Sequence, residues 1–289
     1  MKGIILAGGS ATRLRPASLG VNKQLMPVYD KPLIYYPLTT LMLSGIREIL
    51  LISSPEDLPS YKRLFSKSKQ WGIDINYAEQ AAPGGIAESI LIGEKFIANE
   101  PVALILGDNL FHGIGLGRQF VEAFKEPGAL ITAYHVADPH AFGVVDFDRN
   151  GYAISLEEKP STPKTSWAVP GIYFYDSTAV ERTKRLNRSA RGELEITDLN
   201  QSYLVEKQLR VKILSRGTTW LDMGTPGSLL SAAAYVQIIQ ERQGLLVGSP
   251  EEASWRSNWI NDDELTNLAS EFSNTNYGEL LRNLPLEGK

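Results

Sequence analysis

Gly3-Ile4-Ile5-Leu6-Ala7-Gly8-Gly9-Ser10-Ala11-Thr12-Arg13-Leu14-Arg15-Pro16, close behind the first residue, is the stretch on which the fold turns. A compact apolar run rich in Ile and Leu gives way at once to a glycine pair. A strand buried on both faces of a parallel sheet reads this way, because neither face needs polar residues. The glycines then stand where the strand ends and the chain must turn. In open α/β sheets that carboxyl edge is where ligands bind.

Working outward, the same texture recurs in Glu48 to Ser53, Ile75 to Ala78 and Val102 to Leu106. Helical spacing fills the intervals: Tyr35 to Ser44 stops at Gly45, and Gly85 to Ile97 carries Ile86, Ile90, Leu91 and Ile97 on a helical repeat. Strands separated by helices of that length imply right-handed βαβ units. The expected fold is therefore α/β, a doubly wound and mostly parallel sheet. From Ala129 the signals crowd together: Ala129 to Val136, Gly143 to Phe147, Tyr152 to Glu157 and Gly171 to Tyr175. Asp148-Arg149-Asn150-Gly151 supplies a hairpin-like turn, so antiparallel strands should be added to the parallel core. A further strand is expected at Leu209 to Leu214 and a long helix over Ser228 to Gln243. After it comes a small helical elaboration containing Trp255, Trp259 and Leu265. We divide the chain into an α/β body, 1–243, and a C-terminal helical extension, 244–289, packed on the same domain.

Composition excludes several classes. Lys plus Arg number 29 against 33 Asp plus Glu, a formal net charge of -4, and no stretch gathers the cations into a stripe for polymeric nucleic acid. There is no cysteine, hence no disulfide and no thiolate chemistry. No apolar run reaches the ~20 residues of a membrane span, and the glycine-rich start does not read as a signal peptide. A cytoplasmic protein without a membrane partner is expected.

The glycine turn is not one of the two common phosphate motifs. G-x-G-x-x-G would need glycine at Arg13, and the Walker pattern would need G-K-[ST] at its end. What remains is a glycine loop whose N–H groups can approach phosphate oxygens, followed by the cations Arg13 and Lys23. Such cations stabilise charge on transferring and leaving phosphates. A plain strand-to-helix turn is the other use of the same glycines. Asp108 follows the strand Val102 to Leu106, and Asp222 follows Trp220-Leu221. Two carboxylates at strand ends could share a hard cation such as Mg²⁺, or each could be a solvated loop residue.

The segment Leu6 to Pro16 is followed by Lys23-Gln24-Leu25-Met26-Pro27-Val28-Tyr29-Asp30-Lys31-Pro32. Further on come Gly107-Asp108-Asn109, Gly143-Val144-Val145, Leu156-Glu157-Glu158-Lys159-Pro160, Arg191-Gly192-Glu193-Leu194-Glu195 and Trp220-Leu221-Asp222. Together they resemble the signature of the sugar-1-phosphate nucleotidyltransferases, over nearly the whole chain, and most closely its thymidylyl-transferring branch. The resemblance implies that deoxythymidine triphosphate (dTTP) and glucose 1-phosphate combine by in-line attack at the α-phosphorus, releasing pyrophosphate and opening dTDP-L-rhamnose or related deoxysugar synthesis. It implies Mg²⁺ on Asp108 and Asp222, with Arg13 and Lys23 as the catalytic cations. Gly8, Gly9, Ser10, Ala11, Thr12, Gln24, Gln80 and Gly85 would bind the nucleotide, Gln80 and the Gly85 backbone reading the pyrimidine edge. Gly143, Glu158, Lys159, Val169, Tyr173 and Arg191 would bind the sugar phosphate. It further implies a homotetramer and a regulatory nucleotide site that includes Arg216 and Arg256.

Some positions depart from the family pattern. Ala11 stands for a usual Gly, Pro83-Gly84-Gly85 for Pro-Asp-Gly, Ala87-Glu88-Ser89 for Ala-Gln-Ala, and Phe142 for Tyr. If position 11 needs positive φ, Ala11 carries strain of about 1 kcal/mol, and Glu88 brings an anion near the triphosphate. Reduced rather than absent activity is expected. A uridylyltransferase using UTP and a sensing protein that kept the fold with little turnover are the competing readings.

Overall fold

The computed structural model describes residues 1–9 and 11–288, apart from the side chain of Glu287. The expected strands form, within a residue or two of their sequence limits: Lys2–Leu6, Glu48–Ser53, Asp74–Glu79 and Val102–Leu106 lie parallel. Their side chains alternate between two apolar clusters. Ile5, Leu51 and Ile105 face one, and Ile4, Leu50 and Leu104 the other. Burial on both faces is why these strands read as unbroken apolar runs.

The antiparallel strands extend this same sheet. Ile172–Tyr175 pairs antiparallel with both Val102–Leu106 and Ala129–His135. Beyond it lie Trp167–Ala168, Gly143–Phe147 and Ala153–Glu158, the last two joined through the Asp148 to Gly151 turn. Leu209–Ile213 adds in parallel to Ala129–His135.

The helix expected over residues 85 to 97 is broken into Glu88–Ile92 and Glu94–Ile97. Gly93 sits at the break, where a Cβ would come 2.9 Å from Ile4 Cδ1 and 3.2 Å from the Ser89 carbonyl oxygen. The interruption is one residue long, since the Gly93 amide still donates to the Ser89 carbonyl at 3.0 Å and the Ile97 amide to the Gly93 carbonyl at 2.8 Å. Gly85 and Ala87 stay outside the helix because the Gly85 backbone, at φ 98, lies against Leu194. Tyr35–Leu43 ends as expected, Gly45 taking the left-handed conformation at φ 77.

The long helix Pro226–Gln243 opens on a capping box between Thr225 and Ser228 and stops at Gly244, φ 67. Beyond it, Pro250–Arg256, Asp262–Ser270 and Asn276–Glu287 are helical. Trp255, Leu265 and Tyr277 are buried in the cluster that also holds Ile5 and Leu51, with Trp259 packed at its margin. No helix among the described residues is long and apolar enough to cross a membrane.

Lys31 ties the extension to the body. It is buried, and its ammonium donates to Asp30, to Gln240 Oε1 at 3.0 Å and to the Val247 carbonyl at 3.0 Å. Burial lowers its pKa while Asp30 opposes the shift. Glu251, also buried, accepts from the hydroxyls of Tyr277 and Ser249 and has its pKa raised by burial. Lys31→Met is therefore expected to destabilise the fold by about 1–3 kcal/mol, the cost of leaving the buried Gln240 and Val247 acceptors without their donor. Urea unfolding should show this as a lower midpoint of one transition. A separate transition belonging to residues 244–289 alone would show that the extension is not part of the same unit.

Candidate active site

The carboxyl ends of the parallel strands open into two clefts that share a wall. The first, about 380 Å³, is lined by Gly8, Gly9, Ala11, Lys23 and Gln80, with Asn22 and Pro83 among its other walls. The second, about 290 Å³, is lined by Arg13, Asp108, Phe142, Gly143, Glu158, Lys159, Val169, Tyr173 and Asp222. Lys23, from the first cleft, forms an ion pair with Asp108, from the second. The boundary between the clefts is thus made of charge.

Lys23 lies on a single turn, Lys23–Leu25, capped by Asn22, whose Oδ1 accepts from the Gln24 amide at 2.9 Å. Asn22 is held in turn by Tyr61 and Asp57. Gln24 is buried, its Nε2 donating weakly to the Gly8 carbonyl at 3.4 Å. Its Oε1 has no hydrogen-bond partner among the described residues. Gln24, Thr12 and Gly85, expected to bind the nucleotide, are absent from the described lining of either cleft.

Ala11 does take the left-handed conformation, φ 44 and ψ 36, immediately before the turn Thr12–Leu14. The conditional strain of about 1 kcal/mol for a non-glycine residue therefore applies. Ser10 lies outside the described residues.

Asp108 and Asp222 meet because a pair of short strands joins them. Asn109–His112 runs antiparallel to Thr219–Asp222, Asp222 opposite Asn109, and the Met223 amide donates to the Asp108 carbonyl at 3.0 Å. Asn109, which the sequence did not single out as a site residue, locks the junction. Its Nδ2 donates to Asp108 Oδ1 at 2.9 Å, while its Oδ1 accepts from the Gly171 amide at 3.1 Å and from Trp220 Nε1 at 2.7 Å. Burial, then the Asp108 charge, raises the Asp222 pKa, and Lys23, Arg13 and Lys159 pull it back. Arg13 and Asp222 both flank Gly224, where a Cβ would lie 2.8 Å from an Arg13 guanidinium nitrogen and 3.3 Å from Asp222 Oδ2. Two neighbouring carboxylates offer hard oxygen donors of the kind a magnesium ion prefers. No group of three or more His, Cys, Asp or Glu suited to a metal occurs among the described residues, so further donors would come from water or substrate.

In the second cleft, Glu158 accepts from Thr197 Oγ1 at 2.7 Å and pairs with Lys159 at 3.2 Å. Lys159 sits at φ 43, which turns the chain at the end of Ala153–Glu158. Gly143 makes room for Glu158, since a Cβ there would lie 3.3 Å from the carboxylate. Phe142 packs on Trp220 with ring centroids 5.0 Å apart, and Tyr173 and Val169 close the apolar wall. Arg191 is not brought in. It is exposed, bonded to Glu195 at 2.9 and 3.0 Å, and absent from the described lining of either cleft.

Gln80 is less free than its side chain suggests. Its Nε2 donates to Glu88 Oε2 at 2.9 Å and approaches the Gly85 carbonyl at 3.5 Å. Glu88 is not a bare anion, because Arg188 bonds its other oxygen at 2.8 Å. Arg188 also donates to the carbonyls of Gly84 and Gly192, and Leu194 bonds Gly84 and Ala87 through its backbone. Of the two further arginines, Arg216 is exposed before the strand Thr219–Asp222, and Arg256 pairs with Glu252 at 2.7 Å.

Residues 2–238 match the family model for nucleotidyl transferases. Glucose-1-phosphate thymidylyltransferase of Mycolicibacterium smegmatis is 53% identical, over 98% of this chain and 99% of that protein. The enzyme of that name from Neisseria meningitidis is 52% identical over the same shares. A Bacillus anthracis protein assigned as a glucose-1-phosphate thymidylyltransferase, crystallised with sucrose, superposes with a TM-score of 0.74 at 39% identity, covering 81% of this chain and 94% of that one. A UDP-glucose pyrophosphorylase bound to UDP-glucose shares the fold, with a TM-score of 0.73 at 23% identity over 82% and 98% of the two chains.

The Asn109 junction generates a direct test. Asn109→Ala strands two buried donors, on Gly171 and Trp220, and should cost about 3 kcal/mol of folding stability. Chemical denaturation measures it, and a loss under about 0.5 kcal/mol would show that the junction does not depend on this side chain.

Proposed function

Since this chain belongs to the nucleotidyl transferase family, we propose that it transfers the thymidylyl group of dTTP to glucose 1-phosphate, releasing pyrophosphate, as the entry to dTDP-L-rhamnose or a related deoxysugar. One observation carries the reading. Lys23 and Asp108 form a charged boundary between a glycine-walled cleft with an amide at its far side and a cleft with Glu158, Lys159 and Asp222. A donor and an acceptor, each with phosphate at that boundary, would meet there. By family likeness the enzyme works in the cytoplasm as a homotetramer.

In this reading the nucleotide's base lies toward Gln80 and Gly85, and its phosphates lie over Gly8 and Gly9. The sugar occupies the second cleft, Glu158 accepting from its hydroxyls and Lys159 meeting its phosphate. Arg191 joins only by leaving Glu195. The sugar phosphate needs little proton chemistry, because its second pKa of about 6 leaves it anionic at neutral pH. Its oxygen attacks the α-phosphorus in line, and the bond from that phosphorus to the pyrophosphate bridging oxygen breaks, with no covalent enzyme intermediate. Repulsion among the phosphates is the barrier. Lys23 and Arg13 neutralise charge at the reacting phosphates, and holding both substrates at one boundary supplies the approach geometry. A magnesium ion held by Asp108 and Asp222 would add Lewis-acid stabilisation of phosphoryl oxygens.

Asp108→Asn and Asp222→Asn are each expected to lose about 10²- to 10³-fold in turnover while remaining folded. Neutralising Arg13 or Lys23 should lower kcat more than it raises KM. Pyrophosphate release at saturating Mg²⁺ measures both, and near-wild-type turnover in either asparagine variant would remove that residue from the metal role.

The donor assignment is tested by kcat/KM for thymidine, uridine, cytidine, adenosine and guanosine triphosphates with glucose 1-phosphate. Thymidine should lead. Uridine should follow closely, because it presents the same edge and loses only a methyl contact worth roughly 1 kcal/mol. A purine in first place would overturn the assignment.

A further inference from the structure

One backbone oxygen fastens both ends of the turn that carries Arg191. The Gly84 carbonyl accepts from the Leu194 amide at 2.8 Å and from Arg188 Nη1 at 3.3 Å. Between Arg188 and Leu194 the chain closes on itself. The Gly192 amide donates to the Ser189 carbonyl at 2.8 Å, the Ser189 amide donates to the Glu193 carbonyl at 2.8 Å, and Gly192 takes φ 77. Arg191 stands at the exposed tip of this closed turn.

Arg188 ties the turn to the nucleotide cleft. Its Nη1 also donates to the Gly192 carbonyl at 2.8 Å, and its Nη2 bonds Glu88 Oε1 at 2.8 Å. One guanidinium thus holds two points on the loop 80–88 and one on the turn, a use suited to a planar group whose donors point in fixed directions. Gln80, Ala81, Ala82 and Pro83 line the first cleft, and Gly84 follows directly. The wall of that cleft therefore runs straight into the anchor of the Arg191 turn. Arg191 itself is held by Glu195, away from both clefts. An exposed ion pair of this kind is worth only about 0–1 kcal/mol, so it yields readily to a phosphate. The larger cost is in ordering the turn that presents the side chain.

We propose that Arg188 is a positioning residue that couples the two clefts: it fastens the Arg191 turn to the wall of the nucleotide cleft, so that a nucleotide seated on that wall prepares Arg191 for the sugar phosphate. The inference rests on the proposed placement of the two substrates, and it gives Arg188 contact with neither. A nucleotide pressed against residues 80–83 holds Gly84, and with it both ends of the turn. Less freedom is then lost when the sugar phosphate takes Arg191. The effect is reciprocal, each substrate tightening the other by the same factor.

The test is calorimetric. The affinity for glucose 1-phosphate is measured in Mg²⁺ with and without a saturating dTTP analogue whose α,β-bridging oxygen is a methylene group, so that no transfer occurs. In wild type the analogue should tighten glucose 1-phosphate binding at least about fivefold, the lower end of ordinary coupling between sites, and in Arg188→Met the gain should fall below about twofold. Plain loosening of the fold would weaken both affinities and leave their ratio unchanged. Arg188→Lys, which keeps a cation beside Glu88 but loses the planar fork, should also lose most of the coupling, and it carries the test if the methionine variant does not fold. In an Arg191→Met background, adding Arg188→Met should not change the ratio further, because the two act in series. A wild-type ratio in a folded Arg188 variant, or a further fall in the Arg191→Met background, overturns the inference. Wild-type binding of both ligands without any tightening overturns it too, while leaving the proposed function standing. A wild-type enzyme that releases no pyrophosphate from dTTP and glucose 1-phosphate overturns the proposed function itself, and this inference with it.

Discussion

The active-site architecture depends on the pairing of two short strands, Asn109–His112 and Thr219–Asp222. The parallel sheet delivers Asp108 to its carboxyl edge as a matter of topology, but Asp222 belongs to a distant part of the chain. The ladder between the strands fixes Asp222 against Asp108, and Asn109 donates once and accepts twice through its side chain at the junction. Two like charges near each other repel, so their proximity must be imposed by backbone pairing and then tolerated through Lys23, Arg13 and Lys159.

The two clefts are mechanically joined as well as electrically. The loop carrying Gln80 to Glu88 is bonded through Gly84 and Ala87 to Leu194, and through Glu88 to Arg188. Both partners belong to the segment that also carries Arg191 and leads into the helix Ile196–Val205, from which Thr197 holds Glu158. The walls of the two clefts thus share one connected scaffold. Gly84 and Glu88 are separate positions in the sequence, yet they meet in space, where a Cβ at 84 would overlap the Glu88 carboxylate.

The C-terminal extension shows a different use of buried charge. Lys31, Gln240 and Glu251 are withdrawn from water, with Asp30 at the exposed edge of the group, and the buried ions are offset by hydrogen bonds rather than by a charge partner alone. Such networks add little net stability relative to an apolar core, but they are intolerant of a missing member. They fix how the extension seats on the body, and so they keep its helices in register with Tyr35–Leu43 and the glycine-loop face of the sheet.

The sequence by itself determined the parallel strands, the glycine turn, the helix stop at Gly45 and most of the charged residues that line the clefts. Those features are local: periodicity of burial, a left-handed residue after a helix, or a charged residue at a strand's end. It also flagged Ala11, whose positive φ is a property of one residue. Tertiary structure alone showed why position 93 is glycine, since a Cβ there would come 2.9 Å from the Ile4 side chain. It alone revealed Asn109 as the lock between the carboxylates, because a hydrogen bond to Trp220 leaves no mark on the residues near either position. Arg191 and Gln80 make the same point from opposite sides. Each could both hold a ligand and bond a neighbour, but where Arg191 points is set by Glu195, and which end of Gln80 meets the cleft is set by Glu88 and the Gly85 carbonyl. Residue type fixes what a group can donate or accept, and only the neighbours that the fold assembles fix the direction in which it does so.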